Sequence, residues 1–246
     1  MAVNLTTRWL VDGARRLQFA LLPPYCLLCG QAGSDNHDLC AACAADLVRN
    51  RVCCARCALP LQAPAPLCGE CLQHEPPFAA AFAPLVYATP LDQLVTRLKF
   101  GRSLAAGRVL SEVWFDELRA VSPALPEALI PVPLHRARLR ERGYNQALEL
   151  ARPLAARLGI ALHDDILART RATPAQANLD AIERRKNLRD AFSVAAGAAL
   201  PMHVAVVDDV MTTGTTLHEC ARTLLRAGVA RVDAWALARA PKPRLR

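Results

Sequence analysis

Aromatic side chains are scarce in this chain, and the usual membrane and export signals are absent from it. Phe, Trp and Tyr make up 5% of the 246 residues, which weakens the case for a surface that binds nucleic acid mainly by base stacking. No apolar run approaches the roughly 18 residues of a membrane-spanning helix. No stretch before Pro23 has the apolar core and small-residue cleavage site of a signal peptide. We therefore expect a cytoplasmic protein without a membrane span.

Positive charge is distributed unevenly along the chain. Residues 1–75 contain six Arg and six acidic side chains, so the whole net charge of +8 falls in residues 76–246. A basic domain favours an anionic ligand, either phosphate groups or nucleic acid. An Arg-rich solvated surface would give the same net charge, so charge alone does not choose between these two interpretations.

Nine of the ten cysteines lie between Cys26 and Cys71, and eight of them form CxxC pairs. The pairs repeat, because adding 28 to the number of each cysteine in the first two pairs gives the cysteines of the other two. CxxC pairs bind metal more readily than they form disulfides, particularly where no signal peptide is found. The predicted zinc ligands are Cys26, Cys29, Cys40, Cys43, Cys54, Cys57, Cys68 and Cys71.

Two CxxC turns supply the four thiolates of a tetrahedral site, which is how Zn²⁺ is bound in structural sites that leave no position for water. We predict two such zinc ions, whose binding would fold a segment too short to have a sufficient core of its own. The repeat favours two tandem ribbons, but a crossed arrangement that joins the first pair to the third is also open. Cys53 interrupts the pattern and is interpreted as a bystander, and Cys220 is predicted to lie in the core.

From Phe82 onward, short apolar runs alternate with helical stretches, which is typical of an α/β fold with a mainly parallel sheet. The predicted strands are Phe82–Ala88, Ala128–Pro133, Ala191–Val194, His203–Asp208 and Arg231–Ala238. The predicted helices are Leu91–Phe100, Leu104–Ala120, Gln146–Leu158 and Thr215–Ala227, the last closed by Gly228. These patterns predict an N-terminal helix within residues 1–24, a small double zinc-ribbon domain over 25–75 and an α/β domain over 80–246.

The segment 203–217 reads HVAVVDDVMTTGTTL and carries the strongest chemical signal in the chain. A buried strand leads into Asp208 and Asp209, at the end of the strand where open parallel sheets bind ligands. The turn that follows offers hydroxyls, backbone N–H groups and a helix N-terminus, which together can hold a phosphate. Its residues are Thr212, Thr213, Gly214, Thr215 and Thr216. An ordinary Thr cap would not account for two acids and four Thr so close together, and no GxxxxGK or GxGxxG motif offers another phosphate site.

This segment resembles the phosphoribosyl-diphosphate (PRPP) signature of type I phosphoribosyltransferases, in which two acids between hydrophobic residues precede Thr-Thr-Gly. Thr215 departs from the small residue that is usual after this glycine. Further motifs make the chain similar to the ComF family of competence proteins over nearly its whole length. They are LKFG at 98–101, PVPLH at 131–135, RERGYNQ at 140–146, TPAQ at 173–176 and RRKNL at 184–188, with the double zinc ribbon before them.

The resemblance implies a parallel-sheet, type I phosphoribosyltransferase-like domain that binds PRPP together with Mg²⁺. By the same resemblance, Asp208 and Asp209 hold the ribose hydroxyls and residues 212–216 hold the 5′-phosphate. The turn at 131–135 would be the pyrophosphate loop, and residues 169–189 a flexible hood over the site. Three basic side chains are candidates to meet the charge of the pyrophosphate: Lys99, Arg142 and Arg185.

Two functions agree with this interpretation. In the first, an enzyme transfers the phosphoribosyl group of PRPP to a nitrogen nucleophile, although no motif identifies the acceptor. In the second, a non-catalytic module senses PRPP or handles single-stranded DNA, while the zinc ribbons contact DNA or a protein partner. The ComF resemblance implies a role in DNA uptake for transformation or in the use of DNA as a nutrient, with DNA-uptake or recombination proteins as candidate partners.

Overall fold

The computed structural model describes residues 23–34, 37–121, 124–171 and 190–242. The chain divides into two compact units, Met1–Leu47 and Val48–Arg246. The predicted helix within residues 1–24 lies outside the described residues apart from Pro23 and Pro24, and so does Arg185. The predicted domain bounds stay a prediction.

The described part of the first unit is organised around its cysteines. A turn at Cys26 is closed by the Gly30 N–H, which donates to the Cys26 carbonyl at 2.9 Å. Gly30 adopts φ +77°, a conformation that favours glycine. Helix α1 spans Ala41–Ala45, and Cys40 caps it by accepting the Cys43 N–H on its Sγ at 3.4 Å. The cysteine side chains thus fix the backbone that presents them.

The second ribbon belongs to the second unit and is hydrogen-bonded to the chain that enters the sheet. Its helix α2 spans Gly69–Gln73. Asn50, which precedes this ribbon, is 8% exposed. Its Nδ2 donates to the carbonyls of Ala58 at 2.8 Å and Ala83 at 3.0 Å. One buried side chain therefore joins the ribbon to the residues that follow it.

A six-stranded parallel sheet forms the core of the second unit, and a separate antiparallel pair lies beside it. The strands are β1 Ala81–Phe82, β2 Leu85–Val86, β3 Ala128–Pro131, β4 Ala161–Leu162, β5 Leu167–Arg169, β6 Phe192–Val194, β7 His203–Met211 and β8 Arg231–Arg239. The order in the large sheet is β1-β8-β7-β3-β4, with β2 also paired to β8, while β5 and β6 form the separate pair. Strand β7 is therefore central, and its carboxyl end lies between those of β3 and β8.

Five helices follow the second ribbon in the described part of the chain. They are α3 Leu91–Phe100, α4 Leu104–Val121, α5 Arg136–Arg142, α6 Gln146–Leu158 and α7 Thr215–Arg226. All four helices predicted from periodicity are present, and Gly228 follows α7 at φ +109°, as its predicted role requires. Among the described residues, no helix is both long enough and apolar enough to span a membrane.

The differences from the predicted elements have local causes. The predicted strand Phe82–Ala88 is instead two short strands, because Pro84 lies between them and cannot donate to a continuous ladder. Helix α5 and strands β4 and β5 were not predicted. Helix α5 has the sequence RARLRER, which offers too few apolar residues to show a helical period.

Candidate ligand site and metal centres

The eight predicted zinc ligands form two separate tetrads, and in each one the four sulfur atoms lie within 4.8 Å of one another. The first tetrad is Cys26, Cys29, Cys40 and Cys43, and the second is Cys54, Cys57, Cys68 and Cys71. The tandem arrangement is confirmed, and the crossed one is not formed. Cys53 belongs to neither tetrad, and Cys220 is buried in the core, as predicted.

Sulfur–sulfur distances identify the chemistry that suits each tetrad. The Sγ atoms of Cys29 and Cys40 are 3.7 Å apart, and so are those of Cys57 and Cys68. A disulfide would require about 2.0 Å. Two thiolates bound tetrahedrally about 2.3 Å from zinc would be about 3.8 Å apart. Each tetrad therefore fits a structural Zn²⁺ ion whose four ligands all come from the protein.

One thiol of each tetrad is favoured in its ionised form. Burial raises the pKa of Cys26, but N–H donors from the backbone outweigh burial and lower this pKa to about 6. The same balance lowers the pKa of Cys54 to about 7. Because zinc binds thiolates, the first cysteine of each ribbon is well suited to bind the metal at neutral pH.

The acid pair lies near the carboxyl end of β7, as predicted. Asp209 is 2% exposed, and its Oδ2 lies 2.5 Å from the Lys99 Nζ on α3. The Asp209 N–H donates to the Asp208 Oδ1 at 2.9 Å. Burial, reinforced by the charge of Asp209, raises the pKa of Asp208. Burial lowers the pKa of Lys99, but Asp209 outweighs it and raises this pKa, so Lys99 stays an ammonium group.

The turn after the acids, called the phosphate loop for its predicted role (residues 212–216), leads into the N-terminus of α7. Gly214 is the N-cap of α7 at φ +77°, and a Cβ there would lie 2.7 Å from the Met211 Cε. Its positive φ would strain a residue with a side chain at this position. The hydroxyls of Thr213 and Thr215 are 2.8 Å apart. Thr215, the departure from the familiar signature, is 5% exposed.

The predicted pyrophosphate turn lies next to the acids in space. The Val132 N–H donates to the Val207 carbonyl at 2.8 Å, which continues the pairing of β3 with β7 to the residue before Asp208. The Asn145 Nδ2 donates to the Val132 carbonyl at 3.0 Å, so the start of α6 holds the turn. The ends of two neighbouring strands therefore meet at one edge.

The three predicted cations have different placements. Lys99 contacts the acid pair directly. Arg142 instead contacts the Gln146 Oε1, and its guanidinium carbon lies 5.6 Å from the centre of the Phe100 ring. Arg185 lies outside the described residues. Only Lys99, among the described candidates, is thus in contact with the acids.

Two arginines near the site were missed by the sequence reasoning. Arg169, predicted as the first residue of the hood, instead ends strand β5. Burial lowers the pKa of Arg169, while the charge of Asp208 acts in the opposite direction. Arg239 ends β8 and donates to carbonyls of the phosphate loop region. The sequence feature that could have identified Arg239 is its position at the end of an apolar strand.

A cavity of about 560 Å³ lies between the second ribbon and α7. The phosphate loop lines it with Thr213 and Thr215, and Met211 and Arg239 also reach it. The ribbon contributes Cys57, Cys71 and neighbouring residues, and α7 contributes His218, Glu219 and Arg222. Neither acid of the pair lines this cavity, so it is separate from the predicted ribose position.

Comparison with known proteins supports both parts of the chain. The family described as "Double zinc ribbon domain" matches residues 17–72, and "Phosphoribosyl transferase domain" matches residues 145–246. The chain is 38% identical over 227 residues to "DNA utilization protein YhgH" of Salmonella typhimurium, covering 89% of this chain and 98% of that protein. It is 37% identical over 222 residues to "Competence protein F" of Haemophilus influenzae, covering 87% and 96%.

A solved structure of adenine phosphoribosyltransferase from Thermoanaerobacter pseudethanolicus is a distant match. The TM-score is 0.34 and the identity 16%, over 59% of this chain and 85% of that one. A likeness this remote has no bearing on substrate or mechanism.

Proposed function

This chain belongs to the ComF family, and from that premise we propose that its second unit binds PRPP, or a related phosphoribosyl group, at the carboxyl end of β7. The observation that carries the proposal is the junction of two acids with a hydroxyl-rich turn at a helix N-terminus, all within residues 208–216. Because relatives are named for DNA utilization and competence, we place this binding in the cytoplasm, in the uptake or use of DNA.

Each part of the site has a proposed role. Asp208 and Asp209 accept hydrogen bonds from the ribose hydroxyls, while the N–H groups and hydroxyls of the phosphate loop hold the 5′-phosphate. Lys99, beside Asp209, faces the pyrophosphate end together with the turn 131–135. Arg142 remains a candidate that would need to move to reach the ligand, and Arg185 remains a candidate from the sequence.

Mg²⁺ fits this donor set as a companion of PRPP. Lys99 contacts Asp209, while burial and the charge of Asp209 raise the pKa of Asp208. A divalent cation held by Asp208 and by oxygens of PRPP would favour the ionised form of this carboxyl. The bound ion would supply neutralisation of charge on the departing pyrophosphate.

Transfer would follow the pattern of a displacement at C1 of the ribose. The bond from C1 to the pyrophosphate oxygen breaks, and its electron pair leaves with the pyrophosphate. A nitrogen of the acceptor forms the new bond to C1 and loses its proton. The contribution of this chain is to hold the 5′-phosphate and the ribose hydroxyls so that C1 is fixed between acceptor and leaving group.

Calorimetry with PRPP and Mg²⁺ tests the binding site. We expect the double variant Asp208→Asn, Asp209→Asn to bind PRPP about 100-fold more weakly, because each acid accepts charge-assisted hydrogen bonds from the ligand. Asp116→Asn is the matched control, since Asp116 is exposed on α4. Unchanged affinity in the double variant would refute the assignment, provided that it still carries two zinc ions. A panel of nucleobases, with pyrophosphate release as the readout, then tests transfer.

Handling of single-stranded DNA is a second candidate function, favoured by Phe100. This side chain is 72% exposed. Phe100 directly follows Lys99, which contacts the acid pair, and the Arg142 guanidinium lies over the Phe100 ring. An exposed ring beside cations suits a stacked base, which contributes about 1–3 kcal/mol. The zinc ribbons would then contact DNA or a DNA-uptake or recombination protein.

Fluorescence anisotropy with a labelled single-stranded oligonucleotide tests this second function. Phe100→Ala should weaken binding about tenfold through the loss of one stacked base. Val121→Ala removes another exposed apolar side chain (54% exposed) and should have no effect. Equal affinities for the two variants and the native protein would exclude Phe100 as a stacking residue.

A further inference from the structure

Arg239 is a buried cation that joins the second ribbon to the phosphate loop. The residue is 5% exposed. Its Nε donates to the Cys57 carbonyl in the ribbon at 3.1 Å. Its Nη1 donates to the Met211 carbonyl at 2.9 Å and to the Thr212 carbonyl, where the phosphate loop begins. One rigid guanidinium therefore holds a ligand residue of the second tetrad and the entry to the phosphate loop at the same time.

The charge of Arg239 is balanced in an unusual way. Among the described residues, no carboxylate lies within ion-pair distance of it, and its hydrogen bonds to the backbone go to neutral carbonyls. A buried charge without a counter-charge is costly. Four thiolates around one Zn²⁺ carry two formal negative charges, and Cys57 is one of the four. A zinc-thiolate cluster at this tetrad would thus supply a counter-charge for Arg239, to which the charge of Glu70 adds.

We propose that Arg239 is a positioning residue that couples metal binding at the second tetrad to the conformation of the phosphate loop. With zinc bound, the ribbon holds the Cys57 carbonyl in place and offsets the charge of Arg239. Without zinc, the guanidinium loses both its counter-charge and a fixed acceptor, so the carbonyls of Met211 and Thr212 lose a fixed donor. The inference rests on the proposed function only where it concerns PRPP.

The first test needs no ligand and follows hydrogen exchange of the phosphate-loop amides. In the native protein, chelation of the second zinc should speed exchange at residues 212–216 before the central strand β7 opens. In Arg239→Lys, which keeps the charge but not the fork of donors, exchange of these amides should be fast with both zinc ions bound. Lys242→Ala is the matched control, because Lys242 contacts Glu70 of the ribbon at 3.1 Å but is 58% exposed.

The outcomes of that test are distinct. Loop amides that respond to chelation in the native protein, and are already fast in Arg239→Lys, support the coupling. Loop exchange that ignores chelation overturns it. Loss of protection throughout the second unit in Arg239→Lys, together with no loop-specific response to chelation, overturns it as well, because Arg239 would then be only a structural residue.

The second test uses reciprocity between the two sites. If zinc positions the loop, PRPP with Mg²⁺ must raise the equilibrium affinity of the second tetrad for zinc, measured by competition with a chelator, by the same factor by which zinc strengthens PRPP binding. We expect the affinity for one of the two zinc ions to rise about tenfold when PRPP and Mg²⁺ are bound. This rise should be absent in Arg239→Lys. PRPP that binds without protecting zinc contradicts the coupling. PRPP that does not bind at all contradicts the proposed function, while the exchange test still decides the role of Arg239.

Discussion

The two cysteine tetrads share one sequence pattern and differ in almost everything around it. Both follow CxxC-x10-CxxC, and both use a cysteine sulfur to accept a backbone N–H, at 3.4 Å in the first and 3.3 Å in the second. In the first tetrad only Cys26 is buried and Cys29 is exposed. In the second, three cysteines are buried within an apolar cluster that includes residues of β7 and α7.

This difference separates what a metal site needs from what its surroundings use it for. Ligand type and spacing are local, so a repeated sequence gives two equivalent donor sets. Burial depends on distant residues, and the second ribbon packs against such residues within its own unit. The second zinc should therefore stabilise the sheet unit, whereas the first should stabilise chiefly its own ribbon.

The largest expected contrast is between Cys57→Ser and Cys29→Ser. Structural zinc contributes apparent binding free energies of about 10–16 kcal/mol in zinc-finger peptides, comparable with the whole stability of a domain. Cys57→Ser should therefore lose the second zinc ion and lower the unfolding temperature of the second unit strongly. Cys29→Ser should lose one zinc ion and leave the unfolding temperature of the second unit within about 2 °C of the native value. Zinc content and thermal unfolding should be measured for both variants. Equal losses of thermal stability in the two variants would show that the tetrads are equivalent.

A smaller contrast is expected between Phe78→Ala and Leu39→Ala. Phe78 is fully buried, and its ring meets the His218 ring of α7 edge-on, with centroids 5.1 Å apart. Its truncation should cost about 3–5 kcal/mol, measured as the opening free energy of the β7 amides by hydrogen exchange. Leu39 lies between the two CxxC pairs of the first ribbon and is 5% exposed. Leu39→Ala should leave the opening free energy of the β7 amides unchanged. A lower opening free energy of the β7 amides in Leu39→Ala would contradict the contrast between the two ribbons.

Much of the fold follows from local patterns, and the exceptions are instructive. The four long helices begin where their apolar periods begin, and β7 and β8 follow from continuous apolar runs. The sequence also predicts both metal sites, because CxxC pairs and their repeat are local signals. Helix α5 and the short strand β4 could not be predicted, since their formation depends on neighbours distant in sequence rather than on a period of their own.

The candidate site was predictable only in part, for a similar reason. The acid pair and the phosphate loop lie within one continuous segment, so their association is given by the chain itself. The contact of Lys99 with Asp209 joins two distant elements, and the sequence offered Lys99 only as one cation among several. Arg239 joins three separate segments through carbonyl groups, and carbonyls carry no side-chain signature that a sequence could reveal.

The two zinc ions should also differ in how fast they are lost. Because Cys29 is exposed while Cys57 is buried, a chelator can attack the first tetrad directly but needs local opening to reach the second. We expect about a tenfold difference in release rate, recorded with a colorimetric zinc chelator as two phases. Cys29→Ser should retain only the slow phase. A slow phase missing from that variant would reverse the assignment of the two phases.

The smallest effect expected is at the salt bridge that holds the segment before the second ribbon. Glu117 on α4 is 8% exposed, and its carboxylate lies 2.9 Å from the Arg49 Nε and 3.2 Å from the Arg51 Nη2. Glu117→Gln removes the charge and keeps the shape, so we expect a loss of about 1 kcal/mol. The loss should appear in the exchange of the Asn50 amide, which donates to the Pro84 carbonyl at 2.7 Å.

Glu141→Gln is the matched control for this salt bridge. Glu141 is 71% exposed at the side chain and meets Arg138 at 3.6 Å, so its neutralisation should change the same amide by less than about 0.5 kcal/mol. If both variants behave alike, the salt bridge does not help to hold the second ribbon. If Glu117→Gln instead loosens the amides around Cys26 and Cys40, the first tetrad depends on the second unit, and the contrast between the two tetrads is smaller than their burial implies.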